Sequence, residues 1–349
     1  MNVSVAVRRR VPDPTRRDGL HDERLNMVKT HRREMSVASA ITALALVLAV
    51  AAPGYFSGEN LGDLFMANLP VLLVAIGMTL VVVTGEIDIS VGSTFAICGV
   101  AAGILSKSGV PVWLASAAAC LLGAVFGSLN GALVAYLGIP SIVVTLATMT
   151  ALRDGLRWAT EGAWVQDLPP AFQWLGLTQT EFPFVAAIVT VMLTSAFAWG
   201  LGHVAAGRAI YATGSNPRAA RLAGLNTSAV KWMVFTVLGA LTGLAAVLNA
   251  VRFNQIPSNA GIGLEMKVIA SVVVGGASVA GGTGRVMGTV LGVVLLAAVG
   301  PALTFLGVSA YWERAIQGGI ILVAIAAEGI RHPAYRRLAS AAASARAQA

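Results

Sequence analysis

Charge is what this chain has least of. Only 11% of its 349 residues are Asp, Glu, Lys or Arg, while 56% are apolar, far from the averages of water-soluble domains. Most of the length therefore lacks the polar residues that would cover a soluble surface. Cysteine is nearly missing too. Cys98 and Cys120 fall in apolar stretches without a C-x-x-C spacing, which supports neither a disulfide nor a thiolate metal site. They read as small residues facing lipid or core. Four scattered histidines, His21, His31, His203 and His332, offer no zinc site. H-E-x-x-H, G-x-S-x-G and G-x-x-x-x-G-K-[ST] are all absent, so no catalytic residue, metal ion or cofactor is expected. The glycines from Gly261 to Gly288 do not alter this. Gly282-Thr283-Gly284 reaches Gly288 one residue out of step for a dinucleotide fingerprint, with no strand before it.

What fills the chain instead is long uncharged runs, with a mean hydropathy of +0.77. About 20 apolar residues cross a bilayer as a helix, because backbone polar groups must be satisfied internally where water is absent. By that rule spans are expected at residues 35–58, 64–84, 89–106, 182–202, 232–251, 286–305 and 310–330. Residues 108–152 carry no charge and are too long for one crossing, and Gly138-Ile139-Pro140 divides them in two. Residues 268–284, with glycines at 275, 276, 281, 282 and 284, predict a broken or re-entrant helix beside a cavity. The expected fold is all-α, a polytopic integral membrane protein with about ten transmembrane helices, some broken or re-entrant. One membrane domain, 36–330, lies between two basic tails, 1–35 and 331–349. Ser36 reads as the cap of the first helix, and that helix as retained, since acidic residues precede it and further spans follow.

An even number of crossings puts both termini on one side. If that side is the cytoplasm, inner segments hold eighteen Lys and Arg and outer segments and span ends six, as the positive-inside rule requires. The net charge of +8 then reflects membrane orientation, and no nucleic acid is implied.

Against this background a few polar residues stand out. TGEIDISVGS, residues 84–93, sets Glu86 and Asp88 at a helix break bracketed by Gly85 and Gly92. Acids are costly there unless they face water, a partner or a cavity. They fit three roles: bonding sugar-like hydroxyls, carrying a coupling proton, or capping the next helix, a role Asp88 or Ser90 can fill. Asn130, Thr145 and Thr148 sit deep in predicted spans, where they line a path or bond across helices. GSNPRAARLAGLN, residues 214–226, spells a short capped helix: Asn216 at the cap, Pro217 at the first position and Gly224 closing it in a left-handed conformation. Arg218 and Arg221 share one face. Such a helix either takes a push from a cytoplasmic partner or rests on lipid headgroups. VVVTGEIDISVG at Val81 and VVVGGASVAGG at Val272 form a short repeat, each with a glycine-rich break after an apolar run, and paired interrupted helices point to a substrate site between two halves. The loop 158–181 carries Trp158, Trp164, Phe172 and Trp174, which suits an interfacial aromatic belt or a docking surface.

Together these stretches make residues 61–330 resemble the membrane permease subunits of bacterial ABC sugar importers, the group serving ribose, xylose, arabinose, galactose, rhamnose and autoinducer-2. TGEIDISVGS is similar to that family's TGGIDLSVGS. LNGALVAYLGIPSIVVTLATMTALRDG, GSNPRAARLAGLN and GLEMKVIASVVVGGASVAGGTG match its other signatures in order. The resemblance implies a subunit of the bacterial cytoplasmic (inner) membrane that pairs with a second permease, the same chain or a homologue. Cytoplasmic ABC ATPase subunits bind the ATP, and a periplasmic sugar-binding protein delivers a sugar ligand. Asn216, Pro217, Arg218, Arg221 and Gly224 then form the ATPase coupling segment. Glu86, Asp88, Ser90, Asn130, Thr145 and Thr148 belong to the substrate pathway, and Gly275, Gly276, Gly281 and Gly282 to the broken helix. Glu86 and Asp154 stand where the family usually has glycine; Glu86, LEMK and WVQDLP lean toward the rhamnose and autoinducer-2 branches. The rival reading is a secondary transporter in which Glu86 and Asp88 carry a proton.

Overall fold

Residues 34–309 and 311–331 are described by a computed structural model of the chain. The two basic tails lie outside the described residues except at their inner ends. Among the described residues the structure is helical and has no β-strand, only an isolated antiparallel bridge between Val165 and Ile256. The helices are α1 (Glu34–Ala51), α2 (Gly58–Val83), α3 (Val91–Lys107), α4 (Val112–Ala135), α5 (Ser141–Ala159), α6 (Glu181–His203), α7 (Ala205–Ser215), α8 (Pro217–Leu222), α9 (Thr227–Ala250), α10 (Leu264–Val274), α11 (Val286–Phe305) and α12 (Trp312–Arg331).

Each expected span holds a helix, that at 268–284 only as far as Val274, but among the described residues only α1, α2, α4, α6, α9 and α11 are long and apolar enough to cross a membrane. The shortfall has physical causes. α3 is apolar but has 17 residues, α10 stops after 11, α5 carries Arg153, Asp154 and Arg157, and α12 carries Glu313, Arg314 and Glu328. Ser36 is not a cap, because the chain is already helical at Glu34.

α2 forms the centre. Leu73, Val74, Ala75, Ile76 and Met78 have no exposed surface, so α2 packs on protein all round, as a helix apolar on every face should. Pro70 lies inside it and cannot donate the backbone bond that Met66 would receive. Arg252 repairs the gap by donating from Nη1 to the Met66 carbonyl at 2.8 Å. The closest helix pair is α4 with α9. Gly123 and Gly127 face Gly239, and a methyl group added at Gly123 would strike the Gly239 carbonyl. Small residues four apart on both helices let the backbones touch where no hydrophobic drive exists between helices in lipid.

Of the aromatic residues in 158–181, two turn inward. Phe172 is fully buried and Trp174 meets Phe182 edge to face at 5.4 Å, while Trp158 and Trp164 stay exposed.

Candidate functional site

The site begins where α2 ends. Thr84 closes the helix and Gly85 follows at φ 82°. Gly85 N donates to Val82 O at 2.9 Å and Glu86 N to Val81 O at 3.3 Å, the bond pair of a Schellman cap, which needs a left-handed residue at Gly85. α10 ends the same way: Gly276, at φ 97°, donates to Val273 O at 2.9 Å and Ala277 to Val272 O at 3.1 Å. The two caps occupy matching places in the VVV repeat, so the sequence likeness is a likeness of backbone.

The two breaks also touch. Gly282 N donates to the free Val83 carbonyl at 2.8 Å, and Gly281 lies against the Gly85 backbone. The end of α7 wedges into the same point, for Gly214 packs on Val83 O and Gly282 N with no room for a methyl group. Tyr211 Oη donates to Gly284 O at 2.6 Å. Arg285 reaches Glu34 of α1 at 3.8 Å.

From this junction a polar chain leads inward. Asp88 Oδ1 accepts from Ser90 N at 2.8 Å and Ser90 Oγ at 2.6 Å. Asn130 Nδ2 donates to Ser90 Oγ at 2.9 Å and Asp88 Oδ2 at 3.4 Å, and Thr148 Oγ1 donates to Asn130 Oδ1 at 2.7 Å. Asp88, Ser90 and Asn130 are buried, and every donor has an acceptor. The network thus ties the α2–α3 break to α4 and α5. Thr145 does not join it; buried, it donates to Ser141 O of its own helix. The capping role is met in part, since Asp88 takes the first amide before α3 while the Ser90 side chain caps nothing.

Glu86 turns the other way and forms an ion pair with Lys231 of α9, side chains 14% and 23% exposed. The expected span begins only at residue 232 and leaves Lys231 outside it, whereas α9 starts at Thr227; the signal of Lys231 is a lone cation beside an apolar run. Sequence reasoning also missed Glu265, which is 6% exposed and lies 3.5 Å from Arg153 of α5. Gly92 leaves room for that carboxylate, as any side chain there would meet it. The face of α5 away from the network is exposed, apolar at Ile142, Val143 and Leu146 and more polar further on, with Thr150 and Asp154 along it.

α8 is built as its residues dictate. Asn216 Oδ1 accepts from Arg218 N at 3.1 Å and Ala219 N at 3.0 Å, Pro217 opens the helix, and Gly224 closes it at φ 85°. Ala220 is its one buried residue, while Arg218, Arg221 and Leu222 are exposed, Leu222 at 91%. A leucine so exposed beside two arginines was not singled out from sequence.

Cys98 and Cys120 are free, and no group of His, Cys, Asp and Glu among the described residues is arranged to hold a metal ion.

Interrupted helices packed end to end beside a buried polar network are the geometry of membrane transport proteins. Residues 60–325 match the family described as branched-chain amino acid transport system / permease component, and the chain belongs to that family. It is 36% identical to the autoinducer 2 import system permease protein LsrC of Salmonella typhi over 312 residues, 88% of each chain. The Escherichia coli K12 (DH10B) protein of the same name is 37% identical, covering 83% of this chain and 86% of its own. That of Yersinia pseudotuberculosis is 36% identical over 86% and 85%. No solved structure matches.

Proposed function

We propose that this chain is the transmembrane permease subunit of an ATP-binding-cassette importer that carries a small sugar-like ligand inward across the bacterial cytoplasmic membrane. Autoinducer-2 is the favoured ligand, ahead of rhamnose and other monosaccharides, because the relatives above are named for it. In this reading residues 36–330 form one permease domain with ten crossings, α3, α5, α10 and α12 being added to the six apolar helices, and both termini are cytoplasmic. A second permease, two ATPases that bind the ATP and a periplasmic binding protein complete the assembly.

The observation that carries the reading is the seat of α8. Its outer side offers Arg218, Arg221 and Leu222 to a cytoplasmic partner, and the end of α7 just before it is wedged at Gly214 against both helix breaks. A push on α8 therefore reaches the joints of two interrupted helices without passing through a flexible link. Asn216, Pro217 and Gly224 hold the shape of that coupling helix. Gly275, Gly276, Gly281 and Gly282 give the second break its turns. Asp88, Ser90, Asn130 and Thr148 form the joint beside the substrate pathway, with Glu86 and Thr145 flanking it, and the exposed face of α5 lines it. With Glu86 paired to Lys231 and Asp88 bonded by Ser90 and Asn130, neither acid is disposed as a mobile proton carrier.

The test is uptake of autoinducer-2, rhamnose and ribose by cells making this chain with its neighbouring genes, after ATP depletion or after collapse of the proton gradient. Loss on ATP depletion and survival of uncoupling is the expected result. Uptake that needs the gradient and no ATPase would sink the importer reading.

A further inference from the structure

At the end of α2 remote from the helix breaks, α2, α10, α11 and α12 enclose a cavity of about 270 Å³ lined by Asp63, Asn68, Lys267, Ala297, Pro301 and Glu313, among others. Its polar groups are of three kinds. Asn68 is buried, and its Nδ2 donates to Leu64 O at 2.8 Å, which fixes the amide and leaves Oδ1 buried without a donor. Pro301 has no amide hydrogen, so the carbonyl of Ala297, one turn earlier in α11, loses the donor a regular helix supplies. At the equivalent defect in α2 the chain brings in Arg252 to serve Met66 O. No described residue does this for Ala297. The second kind is acidic, Asp63 from α2 and Glu313 from α12, whose Oε1 already accepts from Gln317. The third is the Lys267 ammonium, attracted by the Glu313 charge but without a hydrogen-bond acceptor among the described residues.

We infer that this cavity is a binding site, within a single chain, for a small neutral polyhydroxylated molecule. A bare cation would give Lys267 nothing to donate to. An anion would give Asn68 Oδ1 and the Ala297 carbonyl nothing to accept. Hydroxyl groups both donate and accept, and several on one short carbon frame satisfy all three kinds of group together. The volume falls just below the roughly 300–1,000 Å³ of pockets that bury drug-sized ligands, which suits a frame of five or six carbons. The inference rests on the importer reading in one respect: on the orientation proposed above the cavity opens outward, toward the side from which ligand arrives. It differs from the pathway beside Asp88, which lies near the opposite end of α2.

The experiment is equilibrium binding to the full-length chain in nanodiscs, without ATPase or binding protein, using autoinducer-2, L-rhamnose and D-ribose as probes, with choline and acetate as charged controls. At least one polyol should bind saturably, and Asn68→Leu and Lys267→Met should each weaken it tenfold or more. Because both substitutions touch packed residues, Ala67→Trp supplies a second route: Ala67 is exposed at the rim, and an indole there should block binding while the thermal transition of the protein stays unchanged. No saturable polyol binding, binding unaltered in all three variants, or equal binding of choline or acetate would overturn the site. The importer reading fails separately, through uptake that does not depend on ATP.

Discussion

Asn130 spends both amide hydrogens and its carbonyl on three partners from two other segments, and it is 1% exposed while doing so. Replacing it by leucine leaves Thr148 without an acceptor and Asp88 and Ser90 each short of a donor. Each buried polar group left unmet costs about 1–3 kcal/mol. Asn130→Leu should therefore lower the thermal transition of the purified protein sharply, by the equivalent of about 2–4 kcal/mol, whereas Thr148→Val should cost about 1 kcal/mol. Equal transitions for the two variants would show that the amide is not the hub. The Glu86–Lys231 pair makes a different prediction. Removing one partner of a buried pair strands the other charge, so Lys231→Met should destabilise more than the double variant Glu86→Gly/Lys231→Met, a non-additivity that a double-mutant cycle measures. Sequence picked out Asp88, Ser90, Asn130 and Thr148 one at a time because polar atoms in apolar runs are conspicuous. That they bond to one another was not legible, since about 40 residues separate Asp88 from Asn130 and nothing local encodes that meeting. Lys231 and Glu265 escaped for the same reason: each is explained only by a partner far along the chain.

Elements were more legible where their ends are written locally. The cap at Asn216, the stop at Gly224 and the break after Val83 depend on residues within one turn, and all three stand where the spacing puts them. The number of crossings was less so, because α5 and α12 bear charges that a hydropathy rule rejects, and α10 ends at half the length a crossing needs. Two glycines separate local from distant effects. Gly224→Ala forces a side chain into a left-handed turn and should cost about 1 kcal/mol, confined to α8. Gly214→Ala meets two backbones at once. It should push α7 off the helix breaks and abolish ligand-stimulated ATP hydrolysis in the assembled transporter while α8 stays capped. If Gly214→Ala hydrolyses ATP as the wild type does, the wedge carries no signal.

The whole chain divides into a part that is held and a part that is offered. α2 is enclosed, and α4 and α9 are fused along glycine contacts, so these three should move as one body. Exposed surface falls on α1, α5, α6, α8 and the side of α4 away from α9, where lipid and partner chains would cover it. Charge reversal at both Arg218 and Arg221 to glutamate should release the ATPase in pull-down from detergent while leaving the thermal transition of the permease unchanged, because neither side chain touches the body. Co-purification at the wild-type level would place the contact elsewhere. Two helices end in the same valine-rich cap, and a backbone bond from Gly282 to Val83 joins them. A linkage whose two joints share a pin has a single degree of freedom: neither joint turns unless the other does, so in the proposed importer the two halves of the chain should open and close in step, like the blades of scissors.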